Sequence, residues 1–286
     1  MRRFDDAAPH LITALERHCA LTPEACSSVG EVSGRLRRHA AGDPIEADGG
    51  RRRSFAVISG WAAEQRVLLD GRRQILRLRI ADDICGLREE ALEGAQLHAL
   101  TDAVLADVTP LRDAVAGGRT DPSLIESWRR MERAEIASDL RHLVRLGRLT
   151  ALERAGNLMV ELFERLEVAG LNSGPVMPLP LTQTHLADHL GLSVVHVNRV
   201  LQQLRRDRYI EMRPRQVVIK DLASLARHSC YALGAYPPPP PSAKPSARGS
   251  DQRRQTSITA RTTFWSRTGF CRQGGFARSF GMTSAS

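Results

Sequence analysis

Val197, Val200, Leu201 and Leu204 recur at three-to-four spacing, the stripe of a helix that buries one face. At about 100° per residue, Val195, Gln202 and Arg206 project almost opposite that stripe, with Asn198 and Arg199 flanking them. A shorter helix precedes it: Thr182 is placed to cap, Leu186 and Leu190 face inward, Gly191 suits the left-handed residue that ends it, and Ser193 caps the next helix. Beyond the stripe, "YIEMRPRQVVIK" reads as two short strands turning around Arg213 and Pro214. The pattern predicts a helix, a tight turn, a second helix and a small β wing.

Other periods appear upstream. In "QRVLLDGRRQILRLRI" two apolar runs flank Asp70-Gly71, the sequence of a tight two-residue hairpin turn. Leu76, Leu78 and Ile80 alternate with Arg77 and Arg79, which predicts a half-buried antiparallel strand with its arginines in water. From Pro122 a long helix is expected, capped by Asp121 and ending at Gly147. Its apolar residues fall in two offset stripes, Leu124, Trp128 and Met131, then Ile136, Leu140 and Leu143. Such a helix packs either on a second copy of the chain, making these six residues a dimerisation set, or on its own sheet. A further helix starts at a Thr150/Glu153 capping box, buries Leu152, Ala155, Leu158, Met159, Leu162 and Leu166, and ends near Gly170. "LNSGPVMPLP" then reads as a linker, and the first sixty residues read as short helices, one starting at Pro23, followed by strands.

Composition narrows the function. The 286 residues allow two domains with real cores. No apolar run approaches the roughly 18 residues of a membrane span, and the start lacks a signal-peptide core, so the expected location is cytoplasmic with no membrane partner. Five cysteines without a CxxC pair indicate neither a disulfide framework nor zinc. Of the net charge of +9, residues 237–286 carry +7, residues 180–228 carry +4, and the remainder −2. The helix-turn-helix segment is therefore the basic part of the chain that looks folded, where a phosphate footprint is expected. From Tyr236 onward the chain becomes rich in Pro, Ser and Arg and is expected to be a disordered basic tail.

An α-helix fits the major groove of B-form DNA, where arginine bridges guanine O6 and N7, amides pair with adenine, and an apolar side chain packs on the thymine methyl. Base reading is accordingly assigned to Val195 and Arg199, helped by Asn198 and Gln202, and phosphate contact to Ser193, Arg205, Arg206, Arg213 and Arg215. Val194 and His196 complete the DNA-binding set, His196 being placed for either role. His185 and His189 stand four apart on the first motif helix, but with no third ligand they read as surface histidines, and no metal or cofactor is expected. No nucleophile elbow or phosphate-binding glycine loop argues for an enzyme.

"LTQTHLADHLGLSVVHVNRVLQQLRRDRYIE" resembles the winged helix-turn-helix of the Crp/Fnr family of bacterial transcription regulators, and "FAVISGWAAEQRVLLDGRRQILRLRIADDICGL" resembles its cyclic-nucleotide-binding-like β-roll. The resemblance covers about residues 10 to 230. It implies an α+β fold with a jelly-roll-like antiparallel sensor domain (1–120), a dimerisation helix and connecting helix (121–170), a winged helix-turn-helix (171–235) and the tail (236–286). It further implies a homodimer on a near-palindromic site in double-stranded promoter DNA, acting on RNA polymerase. The family's DNA-reading arginine falls at Arg199, but its frequent glutamate falls at Val195, so the recognised sequence should differ. The Gly-Glu and Arg-Ser or Arg-Thr pairs that hold cyclic AMP are missing from "GLREEALEGAQLHALTDAV", which predicts no tight cyclic-nucleotide binding. Cys19 and Cys26 are too sparse for the family's iron–sulfur members. The competing reading is an interaction protein with a vestigial helix-turn-helix whose basic tail binds an acidic partner or RNA.

Overall fold

In the computed structural model, residues 7–32, 36–45, 53–87, 94–234 and 236 are described. Helices α1 (Ala8–Glu16) and α2 (Pro23–Val32) precede eight strands: β1 (Leu36–His39), β2 (Pro44–Ile45), β3 (Phe55–Ser59), β4 (Ala62–Val67), β5 (Arg73–Arg79), β6 (Ile84–Cys85), β7 (Ala95–Ala99) and β8 (Ala103–Asp107). They form two antiparallel sheets, ordered β1-β8-β3-β6 and β2-β7-β4-β5. Ile45, Phe55, Val57, Ala62, Cys85, Ala99, Ala103 and Leu105 fill the space between them. This is the expected β-roll. The missing cyclic-nucleotide pairs and the tail expectation fall largely on 88–93 and 237–286, outside the described residues.

Helices α3 (Thr109–Ala116), α4 (Pro122–Arg148) and α5 (Ala151–Val168) follow. Asp121 caps α4, accepting from the Ser123 amide at 2.8 Å, and the Thr150/Glu153 box starts α5. Gly147 lies inside the last turn of α4, which runs one residue past it.

Three expectations for the roll need correction. The β4–β5 hairpin closes at Leu68 and Arg72, whose backbones bond at 2.8 Å, so the loop has three residues, Leu69 to Gly71, with Gly71 at φ +82°. On β5, Gln65 pairs with Ile75 and Glu64 with Arg77, so Leu76 is an extra, bulged residue. The bulge shifts the alternation before it: Leu78 and Ile80 are buried as expected, but Ile75 takes the inward place expected of Leu76, which is only partly buried. Arg79 is not in water; it is buried against Glu64 and Glu135, and Arg77 bonds both Glu64 and Asp139. The face expected to meet solvent is covered by α4.

The two stripes of α4 have separate fates. Leu124, Trp128 and Met131 are buried with Leu11, Leu15, Ala56, Ile58 and Ile84 in the chain's own core, and the Trp128 indole donates to the Leu87 carbonyl at 3.2 Å. Their assignment to a dimer interface is therefore overturned. Ile136, Leu140, Leu143 and also Val144 are exposed, Leu143 at 66%. The second stripe is turned roughly 130° around the helix from the first at 100° per residue. Over this half of α4 the inner face is polar instead: Glu135, Ser138, Asp139, His142 and Arg145 line a cavity against β5 and α5.

That polar face ties the parts of the chain together. Arg145, 1% exposed, donates to Asn157 Oδ1 at 2.9 Å and to Glu161; Arg165 reaches the Leu78 carbonyl and, at 2.6 Å, Asp83. Burial alone would raise the Glu161 carboxyl, but Arg145 and Arg165 outweigh it and hold it at about 2. The His142 and His189 rings stack at 4.3 Å, and His189 bonds the Ile75 carbonyl through Nδ1. Burial, with Arg145 nearby, pushes His142 down to about 4, and burial with His142 and Arg145 also holds His189 well below the ordinary histidine range. Both rings stay neutral in the fold at pH values where the unfolded chain protonates its histidines. The unfolded state thus binds more protons below about pH 6.5, and stability present at neutral pH is lost as pH falls. For His142 alone the loss should reach roughly 2 kcal/mol by pH 5. Denaturant midpoints at pH 7, 6 and 5 should fall in that order, and His142→Gln should flatten the trend; a pH-independent midpoint would contradict this.

The C-terminal part holds β9 (Val176–Pro178), α6 (Gln183–Leu190), α7 (Val194–Arg206), β10 (Ile210–Arg213), β11 (Gln216–Ile219) and α8 (Leu222–His228). The expected linker contains β9, an edge strand paired with β11 in the sheet β10-β11-β9, with Met177 fully buried. Pro178 lacks a ladder donor, and an edge strand tolerates this.

Candidate nucleic-acid interface

Short-range chemistry positions the motif. Thr182 Oγ1 accepts from the His185 amide at 3.1 Å to start α6; Gly191, at φ +63° and ψ 41°, ends it; Ser193 Oγ accepts from the His196 amide at 3.2 Å to start α7. Only the reversal at Gly191 lets two helices follow each other within three residues, and a Cβ there would be strained. Val197, Val200, Leu201 and Leu204 are buried together with Leu186, Leu190 and Ile210. This fixes the rotation of α7 and hence the face it turns outward.

On that face Ser193, Val194, Val195, His196, Asn198, Arg199, Gln202, Arg205 and Arg206 are all exposed, as are Arg213 and Arg215 on the wing. Val195 is 62% exposed and Val194 42%. The side chains of Arg199 and Arg205 make no hydrogen bond or ion pair among the described residues, so their guanidinium groups are free to donate. Gln202 Nε2 donates to Asn198 Oδ1 at 2.9 Å, joining the two amides on one rim. Arg206 is tied to Gln203, whose amide in turn bonds Asp207 at 2.8 Å. The Ser193 oxygen is used by its cap, leaving its hydroxyl proton and the first-turn amides of α7 to meet an anion.

The wing turns at Pro214-Arg215, with Arg215 at φ +58°. Glu211 holds Arg213 at 2.9 Å and also bonds Lys220, lowering the wing's free charge. Those two hydrogen bonds keep the Glu211 carboxyl below its ordinary range. The Arg215 side chain has no partner among the described residues.

The histidines of α6 do not share an open face. His185 completes the cap box, bonding the Thr182 amide through Nδ1 at 3.4 Å, while His189 is 4% exposed beneath β5 and is not a surface residue as expected. A link the pattern did not reveal joins β5 to α6: Arg73 pairs with Asp188 at 2.6 Å and Gln74 donates to the His189 carbonyl at 3.2 Å. These partners are 115 residues apart, beyond any periodic signal.

Comparison with known proteins agrees with this geometry. The Crp-like helix-turn-helix domain matches residues 141–228. Nitrogen fixation regulation protein FixK of Azorhizobium caulinodans is 29% identical over 175 residues, covering 60% of this chain and 70% of that protein. Transcriptional activator protein FnrL of Cereibacter sphaeroides is 27% identical over 176 residues, 59% of this chain and 70% of its own. Among solved structures, FixK2 of Bradyrhizobium japonicum superposes with a TM-score of 0.60 at 25% identity, covering 69% of this chain and 97% of that one. A CRP-family transcriptional regulator of Thermus thermophilus gives 0.52 at 25% identity, covering 70% and 99%. A β-roll ahead of a helix-turn-helix that presents an open basic face is thus what this chain has in common with the transcription regulators it is similar to, and its residues 141–228 carry the Crp-like helix-turn-helix domain.

Proposed function

We propose that the protein regulates transcription as a cytoplasmic homodimer, each protomer laying α7 into one major groove of a near-palindromic promoter site and thereby acting on RNA polymerase. One observation carries the reading: an outward α7 face that combines unpartnered Arg199, bare Val195 and a linked amide pair above a fully buried stripe. Arg199 reads guanine, Val195 packs on a thymine methyl, and Asn198 and Gln202 serve adenine. Ser193, Arg205, Arg206, Arg213 and Arg215 hold phosphates, and His196 stands at the edge of both sets. No helix among the described residues is long and apolar enough to cross a membrane. Binding should require no cyclic nucleotide.

Dimerisation falls to the outward stripe of α4. Ile136, Leu140, Leu143 and Val144 are exposed on a helix whose inner side is already engaged, and a run of four large apolar residues in water is what a partner helix covers. Leu140→Asp with Leu143→Asp should convert the dimer to folded monomers in sedimentation, with an unchanged far-UV spectrum. Retention of the dimer would reject this interface.

Selection of binding sites from random duplexes by the purified chain, without effector, tests the whole proposal. The expected product is a two-fold-symmetric site with half-sites one helical turn, about 34 Å, apart. Recovery of no common sequence would refute it.

A further inference from the structure

After α8, residues 229–234 stay packed on the fold. Cys230, at φ +52°, reverses it, and the Tyr231 amide closes the turn on the Ala226 carbonyl at 2.8 Å. Tyr231 is buried and its hydroxyl donates to Glu164 Oε2 at 2.8 Å; the Gly234 amide donates to the other oxygen, Oε1, at 2.6 Å. One carboxylate of α5 thus grips the segment twice. Tyr236 then forms a wall of the cavity of about 80 Å³ whose other walls include Arg17, Asp82 and Asp83 of the β-roll side, Met131 and Glu135 of α4, and Arg165 of α5. Burial and the nearby Asp83 keep its phenol protonated.

The Asp82–Asp83 turn is the meeting point. Asp83 accepts from Arg165 and from the Ile80 amide at 2.8 Å, and Asp82 holds Arg17 at 2.6 Å and His10 at 3.0 Å. A ring placed beside it feels any movement of α1, β5 or α5. The winged helix is already joined to the roll through the connection after α5 and by the Arg73–Asp188 contact. Tyr236 lines the same cavity as the Asp82–Asp83 turn, at the opposite, C-terminal end of the DNA-binding part.

We infer that Tyr231 and Gly234, held on Glu164, and Tyr236, in the cavity, strap the winged helix-turn-helix onto the β-roll, with Tyr236 as the removable pin, so that events at the Asp82–Asp83 turn set the orientation of α7. The inference rests on the DNA-binding reading for its consequence and on the geometry for its existence. Locking the orientation raises the fraction of molecules ready to bind, and releasing the pin should weaken operator binding about tenfold if that fraction drops to about a tenth.

The test uses the full-length dimer, Tyr236→Ala, Tyr236→Phe, and a chain ending at residue 236. Hydrogen exchange at residues 78–83 and 229–234 should accelerate in Tyr236→Ala and stay at the wild-type level in the other two. The ratio of operator to scrambled-duplex affinity should fall about tenfold in Tyr236→Ala alone, with the salt dependence unchanged because no phosphate contact is lost. Unchanged exchange at 78–83 in Tyr236→Ala would overturn the strap. Faster exchange with an unchanged affinity ratio would overturn its role in DNA binding. Exchange needs no DNA, so a wild-type chain that selects no site would count against the DNA-binding reading and leave the strap to be judged on exchange.

Discussion

Arg199→Ala is expected to abolish discrimination between the operator and a scrambled duplex while leaving the fold and the dimer intact. The Arg199 side chain is exposed and bonds nothing among the described residues, so its removal costs the folded chain little. On DNA, a bidentate arginine–guanine contact is worth about 1–3 kcal/mol of discrimination, and a symmetric dimer loses it twice, about 2–6 kcal/mol. Fluorescence anisotropy against the selected operator should show a loss of at least about thirtyfold, with scrambled-duplex binding little changed. Arg205→Ala is the control: it should weaken both duplexes alike and reduce the salt slope by about two, one phosphate per protomer. A variant at Arg199 that kept the operator preference would place sequence reading elsewhere. Val195→Glu should move the preference toward cytosine at one position per half-site, since a carboxylate accepts from the cytosine amine and a valine cannot.

The second large effect is on stability. Arg145→Met should cost about 3–5 kcal/mol, because it strands the buried Glu161 carboxylate with only Arg165, 3.6 Å away, and leaves Asn157 Oδ1 without its donor. For a chain of this size that is a fall in Tm on the order of 10 °C, measured at fixed protomer concentration so that dimer dissociation does not confuse the comparison. Arg145→Met combined with Glu161→Leu should recover much of the loss, since a matched apolar pair removes the uncompensated charge. A single variant that melts within a degree or two of wild type would mean that water satisfies Glu161 and that the node does not hold α4 to α5.

Legibility followed the range of the interactions. Thr182, Gly191, Ser193 and the 197–204 stripe act within one or two turns of chain, so periodicity and cap chemistry located the winged motif and the direction its open face points. The same reasoning found Asp121, the Thr150/Glu153 box and Gly170. It failed where a partner came from far away. Leu124, Trp128 and Met131 look as suited to a dimer seam as Leu140 and Leu143 do, and only the arrival of α1 and the β-roll on one side of α4 separates them. Arg77 and Arg79 read as solvent-facing because nothing local foretells the carboxylates of α4 on their face. The bulge at Leu76 shifts the phase of a strand by one residue, a change no alternation pattern contains.

By itself, then, the order of amino acids settled α4, α5 and the two helices of the winged motif, which side chains α7 turns outward, and where the charge of the C-terminal part lies, because those properties depend on φ, ψ and angular spacing within a single element. The tertiary structure alone decided which apolar stripe of α4 is left exposed, which histidine is buried, and how β5, α4, α5 and α6 converge on one polar node. Those outcomes depend on desolvation and ion pairing between groups tens of residues apart, and burial of a charge is decided by what covers it.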